Sequence, residues 1–158
     1  MNRFLFLIIA AILFVCCDGN RLFEDHKDFP NRLWAATDTA RFSFRITDTG
    51  RPYNLYYTVR NSIDYPYSRL FVNYVLKDST GTTLAENLTT SYLFDAKTGE
   101  PFGRSGLGDV YDHREALLTN HEFVQPGTYT LDLIQYMRLD TLPGVLAIGA
   151  RVEVSENK

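Results

Sequence analysis

Apolar residues recur at every second position in one run after another between Thr39 and Val154. That spacing matches a half-buried strand, whose successive side chains point to opposite faces, and not the 3.6-residue period of a helix. In "RFSFRIT", Phe42, Phe44 and Ile46 share a side opposite Arg41, Ser43 and Arg45. In "YNLYYTVRN", Tyr53, Leu55, Tyr57 and Val59 face away from Asn54, Tyr56, Thr58 and Arg60. "GTYTLDLIQYMR" places Tyr129, Leu131, Leu133 and Met137 inward, and "VLAIGARVEV" does the same for Leu146, Ile148, Ala150, Val152 and Val154. "RLFVNYVLKD" is apolar on both sides, as a central strand should be, and "LTTSYLF" reads as a further strand. Turn-forming clusters separate these runs: Asp48 to Pro52, Asp78 to Gly81, Lys97 to Gly99, Gln125 to Gly127 and Leu142 to Gly144. The expected fold is all-β, a single antiparallel β-sandwich of roughly 7–9 strands over residues 38–158. A helix is expected only around His113 to Asn120.

The amino-terminal end obeys a different rule. Phe4 to Val15 is continuously apolar and follows Arg3. It is shorter than the ~20 residues a bilayer-spanning helix needs, and it matches the apolar core of a signal peptide. The run stops at Cys16-Cys17, where a bacterial lipoprotein signal would place the cysteine that receives a diacylglyceryl group. Counting from Cys17 puts Phe14 at −3 and small Cys16 at −1. Counting from Cys16 puts Leu13 at −3 but bulky Val15 at −1. The residue beside the cut must fit a tight peptidase pocket, so Cys17 is the expected lipidation site and residues 1–16 the signal. Acyl chains supply the membrane affinity, because each buried methylene contributes ~0.8 kcal/mol and two or three chains hold firmly. Residues 17–37, "CDGNRLFEDHKDFPNRLWAAT", are expected to form a lipidated tether with Phe29 and Trp34 as its sticky points.

Processing at Cys17 removes Arg3 alone among the charged residues, leaving 15 basic against 19 acidic side chains, a net charge of −4. With no basic block, nucleic acid is not an expected partner. With one cysteine left, and that one acylated, neither a disulfide framework nor a thiolate metal site is expected.

Catalytic signals are weak. The Gly99–Glu115 segment, "GEPFGRSGLGDVYDHRE", is glycine-rich, but no Lys-Ser/Thr follows the glycines as a phosphate loop requires. Asp109, Asp112, His113 and Glu115 do not have calcium-loop spacing, and no Gly-x-Ser-x-Gly motif is present. No enzyme activity, cofactor or metal is expected. Aromatic residues on outward parity are more informative. Tyr56 and Arg60 on one run, and Tyr136 and Arg138 on another, lie opposite the inward positions. If the two strands are neighbours in one sheet, these four residues form an aromatic patch bordered by guanidinium groups, a composition enriched at binding hot spots. Cover by the leader through Phe29 or Trp34 is the competing expectation.

The combination "YNLYYTVRNSIDYPYSRLFV", then "GLGD", then "FVQPGTYTLDLIQYMR" and "LPGVLAIGARVEV" resembles the gliding-motility lipoprotein family GldH of the Bacteroidota, from about Phe23 to Val154. The distinctive pieces are Arg60-Asn61 ahead of Asp64-Tyr65-Pro66-Tyr67, the "PGTYTL" turn and strand, and Gln135 with Met137-Arg138. The resemblance implies an acylated cell-envelope protein, anchored in the outer membrane, that the gliding apparatus and its coupled secretion system require. Its expected partners are other envelope proteins of that machinery. A surface glycan-binding lipoprotein is the alternative. A sugar site would set aromatic platforms in a groove beside Asp, Asn and Arg, whereas a protein site would have a flatter apolar centre with a polar rim.

Overall fold

The computed structural model describes residues 19–106 and 108–156. Cys17 and the signal segment lie outside the described residues. Within them the alternating runs become eleven strands, more than the spacing of turns suggests. They are β1 (Arg21–Asp28), β2 (Leu33–Ala35), β3 (Ala40–Ile46), β4 (Tyr53–Ser62), β5 (Arg69–Lys77) and β6 (Thr83–Tyr92), followed by β7 (Arg104–Ser105), β8 (Val110–His121), β9 (Gly127–Gln135), β10 (Thr141–Pro143) and β11 (Val145–Val154). A five-stranded sheet runs β1-β11-β4-β8-β7, a four-stranded sheet runs β3-β9-β5-β6, and β10 pairs with β2. Every pairing is antiparallel.

The two larger sheets pack face to face as a sandwich. Leu55, Tyr57, Val59, Ile148 and Val152 come inward from one, and Phe42, Leu70, Val72, Leu131 and Leu133 from the other. These belong to one continuous buried cluster, and removal of their apolar surface from water is the main stabilising term. A buried hydrogen bond between the hydroxyls of Tyr57 on β4 and Ser91 on β6 ties the sheets together. Burial pushes the Tyr57 hydroxyl pKa above its usual value, so it stays protonated.

Three tyrosines staple loops to the core. Tyr53 donates to the Asp48 carbonyl at 2.6 Å, Tyr65 to Arg69 at 2.9 Å and Tyr129 to Gln125 at 2.6 Å. Each ring stays apolar and buried while its hydroxyl satisfies a backbone acceptor. Gly144, between β10 and β11, has φ 82°, and a Cβ there would meet the Tyr65 Cα at 2.7 Å. Glycine is therefore required on both counts.

Two expectations need correction. Residues 21–35 are not a tether. β1 adds to the edge of β11, in one register from Phe23↔Val152 to Asp28↔Ala147 after an irregularity between Arg21 and Phe23, and Phe29 stacks on Trp34 at 5.2 Å. Trp34 is fully buried, and its indole N–H donates to the Asp38 carbonyl at 2.8 Å. The leader's alternation is obscured because β1 is charged at most positions; strand addition satisfies its backbone instead. Nor is His113 to Asn120 helical: it lies within β8. Arg114, Glu115, Ala116 and Leu117 have good helix propensity, but long pairing with β4 overrides a local preference of tenths of a kcal/mol per residue.

Candidate functional site

Strand order separates the four expected contact residues. Tyr56 and Arg60 lie on β4 in the five-stranded sheet, while Tyr136 and Arg138 follow β9 of the four-stranded sheet. Tyr56 and Arg60 point outward on β4, and Tyr136 and Arg138 are exposed in the turn after β9, but the outer faces of a sandwich look in opposite directions. The single four-residue patch therefore does not form. Leader cover does not occur either, because Phe29 and Trp34 belong to the core.

The outer face of the five-stranded sheet is an ion-pair lattice. Arg60 makes a two-point contact to Asp112, with Nε donating at 2.7 Å and Nη2 at 3.2 Å. The Arg114 guanidinium lies over the Tyr56 ring, 3.9 Å from its centroid, and also pairs with Glu153 at 2.7 Å. Arg151 bridges Glu24 at 2.9 Å and Glu153. The Arg21 hydrogen bond, reinforced by Arg151, holds the Glu24 carboxyl below its ordinary pKa. Between these pairs the floor is low, formed by Thr58, Ala147 and Gly149. A Cβ on Gly149 would lie 2.9 Å from the Asp25 carbonyl, so the glycine lets β1 approach β11.

A groove of about 680 Å³ crosses this face and wraps round β8 towards Tyr92 and Phe102. His113 and Glu115, inward on β8, line its far end. Among the described residues, buried His113 has no hydrogen-bond partner for Nε2, and a Cβ on Gly103 would lie 2.6 Å from that atom. Burial lowers the His113 pKa and raises that of Glu115. Asp112 and His113 point to opposite faces of β8. Accordingly, among the described residues, no group of three or more His, Cys, Asp or Glu side chains could hold a metal ion.

The four-stranded sheet has the flatter outer surface. Cross-strand register aligns Ile134, Asn73 and Leu88 in one row, with Phe71 and Val75 on either side of Asn73 along β5. Leu88 is 45% and Tyr136 58% exposed. Tyr136 donates its backbone N–H to the Phe71 carbonyl at 2.8 Å, which fixes it beside this cross, whose centre, Asn73, donates to Glu86 at 3.1 Å and whose Val75 is buried. A charged rim flanks the cross. Asp132, only 3% exposed, accepts from Arg41 at 2.6 and 3.0 Å and from Lys77 at 3.0 Å. Burial alone would raise the Asp132 pKa, but the Arg41 and Lys77 hydrogen bonds outweigh it and hold the carboxyl below its usual range.

Gln135 explains the distinctive "QYMR" run. Its amide donates to the Leu139 carbonyl at 2.7 Å and accepts from the Met137 N–H at 2.9 Å, closing the turn in which Arg138 takes φ 57°. The Met137 sulfur accepts from the Phe71 N–H at 3.3 Å. Parity identifies Ile134 and Tyr136 as outward, but Phe71 and Leu88 join them only through the β9-β5-β6 order. That order is set by pairings distant in sequence.

Residues 21–152 match the model of the family described as GldH lipoprotein. The chain is 29% identical over 157 residues to "Gliding motility lipoprotein GldH homolog" of Christiangramia forsetii, covering 95% of this chain and 94% of that one. It is 27% identical over 155 residues to "Gliding motility lipoprotein GldH" of Flavobacterium johnsoniae, covering 93% of each. Among solved structures, the infectious bursal disease virus VP2 subviral particle aligns at TM-score 0.46 and 13% identity. The alignment covers 87% of this chain but only 33% of VP2. The K1 cleaved adhesin domain of Lys-gingipain from Porphyromonas gingivalis aligns at TM-score 0.37 and 10% identity, covering 89% and 86%. The matched span runs from β1 into β11 and includes the Gln135 turn, so the chain belongs to the GldH lipoprotein family.

Proposed function

We propose that this protein is a membrane-anchored envelope lipoprotein of the gliding machinery, held by acyl chains on Cys17 and acting as a non-catalytic interaction protein. The outer face of the four-stranded sheet carries the reading. Its exposed Leu88 and Tyr136, with half-buried Phe71 and Ile134 on the same face and the Arg41–Asp132–Lys77 group alongside, mix apolar and charged side chains as protein contacts do. The partner is another envelope protein of the gliding and secretion apparatus, and the membrane is the outer one. The test is chemical crosslinking in intact envelopes with the acylated protein as bait. Tyr136→Ala should keep its melting temperature and lose both partner crosslinks and motility. If it melts several degrees lower and crosslinks fall only as folded protein falls, Tyr136 is structural and the contact face is wrong.

The groove favours a second reading. Tyr92 and Phe102, 54% and 59% exposed, stand beside Arg104 and Asp112, as aromatic platforms beside hydrogen-bonding groups do in saccharide sites. Saturable binding of envelope polysaccharide that Phe102→Ala weakens would support it. Its absence would leave the protein-contact reading alone.

A further inference from the structure

The sandwich protects its sheet edges unequally. β1 carries Arg21, Glu24, Asp25, Lys27 and Asp28, charges of the kind that block pairing with another chain. β3 places Arg41 and Arg45 outward, β7 is two residues long, and β8 beyond its pairing with β7 begins His113-Arg114-Glu115. β6 has none of these devices along most of its length. It is ten residues long, contains no Pro or Lys, and has one charge, Glu86. Among the described residues it pairs only with β5, so its other side offers unused backbone donors and acceptors. It also exposes Leu84 at 46%, Leu88 at 45% and Tyr92 at 54%.

Those three residues are spaced by four, so they share one face of the strand and are symmetric about Leu88. We propose that β6 is a homodimer interface, in which two copies of this chain pair β6 antiparallel about a two-fold axis through Leu88. In that register Leu88 meets Leu88 of the second copy, and Leu84 meets Tyr92. Glu86, the strand's one charge, meets Thr90. On the other face Ala85 meets Ser91 and Asn87 meets Thr89. Pairing therefore extends from residue 84 to residue 92 with no like charges opposed, and on the outer surface the Leu88–Leu88 and Leu84–Tyr92 contacts alternate with Glu86–Thr90 pairs. Centring the axis on Glu86 instead would oppose two carboxylates. A self-complementary patch of this kind gives a closed two-fold dimer. It joins the two four-stranded sheets into one of eight strands.

Cysteine substitution in the acylated full-length protein tests this in intact envelopes under mild copper-phenanthroline oxidation. Residues directly opposite in an antiparallel pair have Cα atoms about 4.5–5.5 Å apart, within disulfide reach. Leu88→Cys should give a band of twice the chain's mass on a non-reducing gel, and the unsubstituted chain should give none. Leu84→Cys or Tyr92→Cys alone should give little, because like positions lie ~26 Å apart along the strand (eight residues at ~3.3 Å). Co-expression of those two variants should restore the band. Leu88→Lys, which opposes two ammonium groups at the axis, should leave a monomer by native mass spectrometry in detergent with its melting temperature kept. Absence of the Leu88→Cys band, equal crosslinking by Leu84→Cys alone, or an adduct of some other mass would overturn the dimer. Motility is not a readout here, so the result is independent of the proposed gliding role.

Discussion

The guanidinium carbon of Arg114 sits 3.9 Å from the centroid of the Tyr56 ring, and the same guanidinium pairs with Glu153. Tyr56 is outward by parity, yet its face is taken up within the molecule. Tyr56→Ala should therefore lower stability by about 0.5–1 kcal/mol for the lost cation–π contact, plus the lost packing of the ring. Tyr56→Phe should restore most of it. Thermal melts of the two variants check this, and partner crosslinks from intact envelopes should be unchanged in both.

Asp132 makes stability depend on acid. Its pKa is lower folded than unfolded, so its contribution is present above the unfolded carboxylate pKa and is lost as pH falls through the folded value. Asp132→Asn should cost about 1.5–3 kcal/mol at neutral pH, the range for hydrogen bonds to charged groups. It should also flatten the loss of stability below about pH 4, near the ordinary Asp value. Denaturant melts from pH 2 to 7 would show both effects. An unchanged acid limb would remove Asp132 from this role.

His113 and His121 act one step higher on the pH scale. Burial lowers both pKa values, so the folded protein favours neutral imidazoles. Their contribution is full above the unfolded value of about 6.5 and declines as pH falls through the lower folded values. The melting temperature should drop between pH 7 and pH 5, and His113→Gln with His121→Gln should flatten that slope. Gly103→Ala should destabilise through its clash with His113 Nε2, and Gly103→Ala/His113→Ala should cost less than the sum of its parts.

Inward and outward faces were legible in the sequence along most strands with one side on the core and the other in water. Phe42, Phe44 and Ile46, or Tyr53 through Val59, are examples. At the start of β11 the irregularity between Val145 and Ala147 puts Val145 in the core and leaves Leu146, expected inward, half-buried. Adjacency was not legible. Tyr56 and Tyr136 carry the same parity signal, yet they end on opposite outer faces because β4 pairs with β8 and β11 while β9 pairs with β3 and β5. β1 was hidden for a related reason: as an edge strand it is charged, and its strand state comes from β11 rather than its own pattern. In β8, Arg114 to Leu117 spell a helix locally that a partner strand overrides.

The anchor has its own test. Mass spectrometry of the native amino-terminal peptide should find acyl chains on Cys17 with residues 1–16 absent. Cys17→Ala should leave the protein unanchored. Acylation at Cys16 would move the processing site by one residue, and an unmodified terminus would remove the lipoprotein assignment for this chain.

The most direct measurement of the proposed role is site-specific photocrosslinking from two positions of the acylated protein in intact envelopes. A photoreactive residue replacing Tyr136 samples the outer face of the four-stranded sheet, and one replacing Tyr56 samples the opposite face. The prediction is adducts with a component of the gliding and secretion apparatus from position 136 and none from position 56. No adduct from position 136, or the same adducts from both, would contradict it.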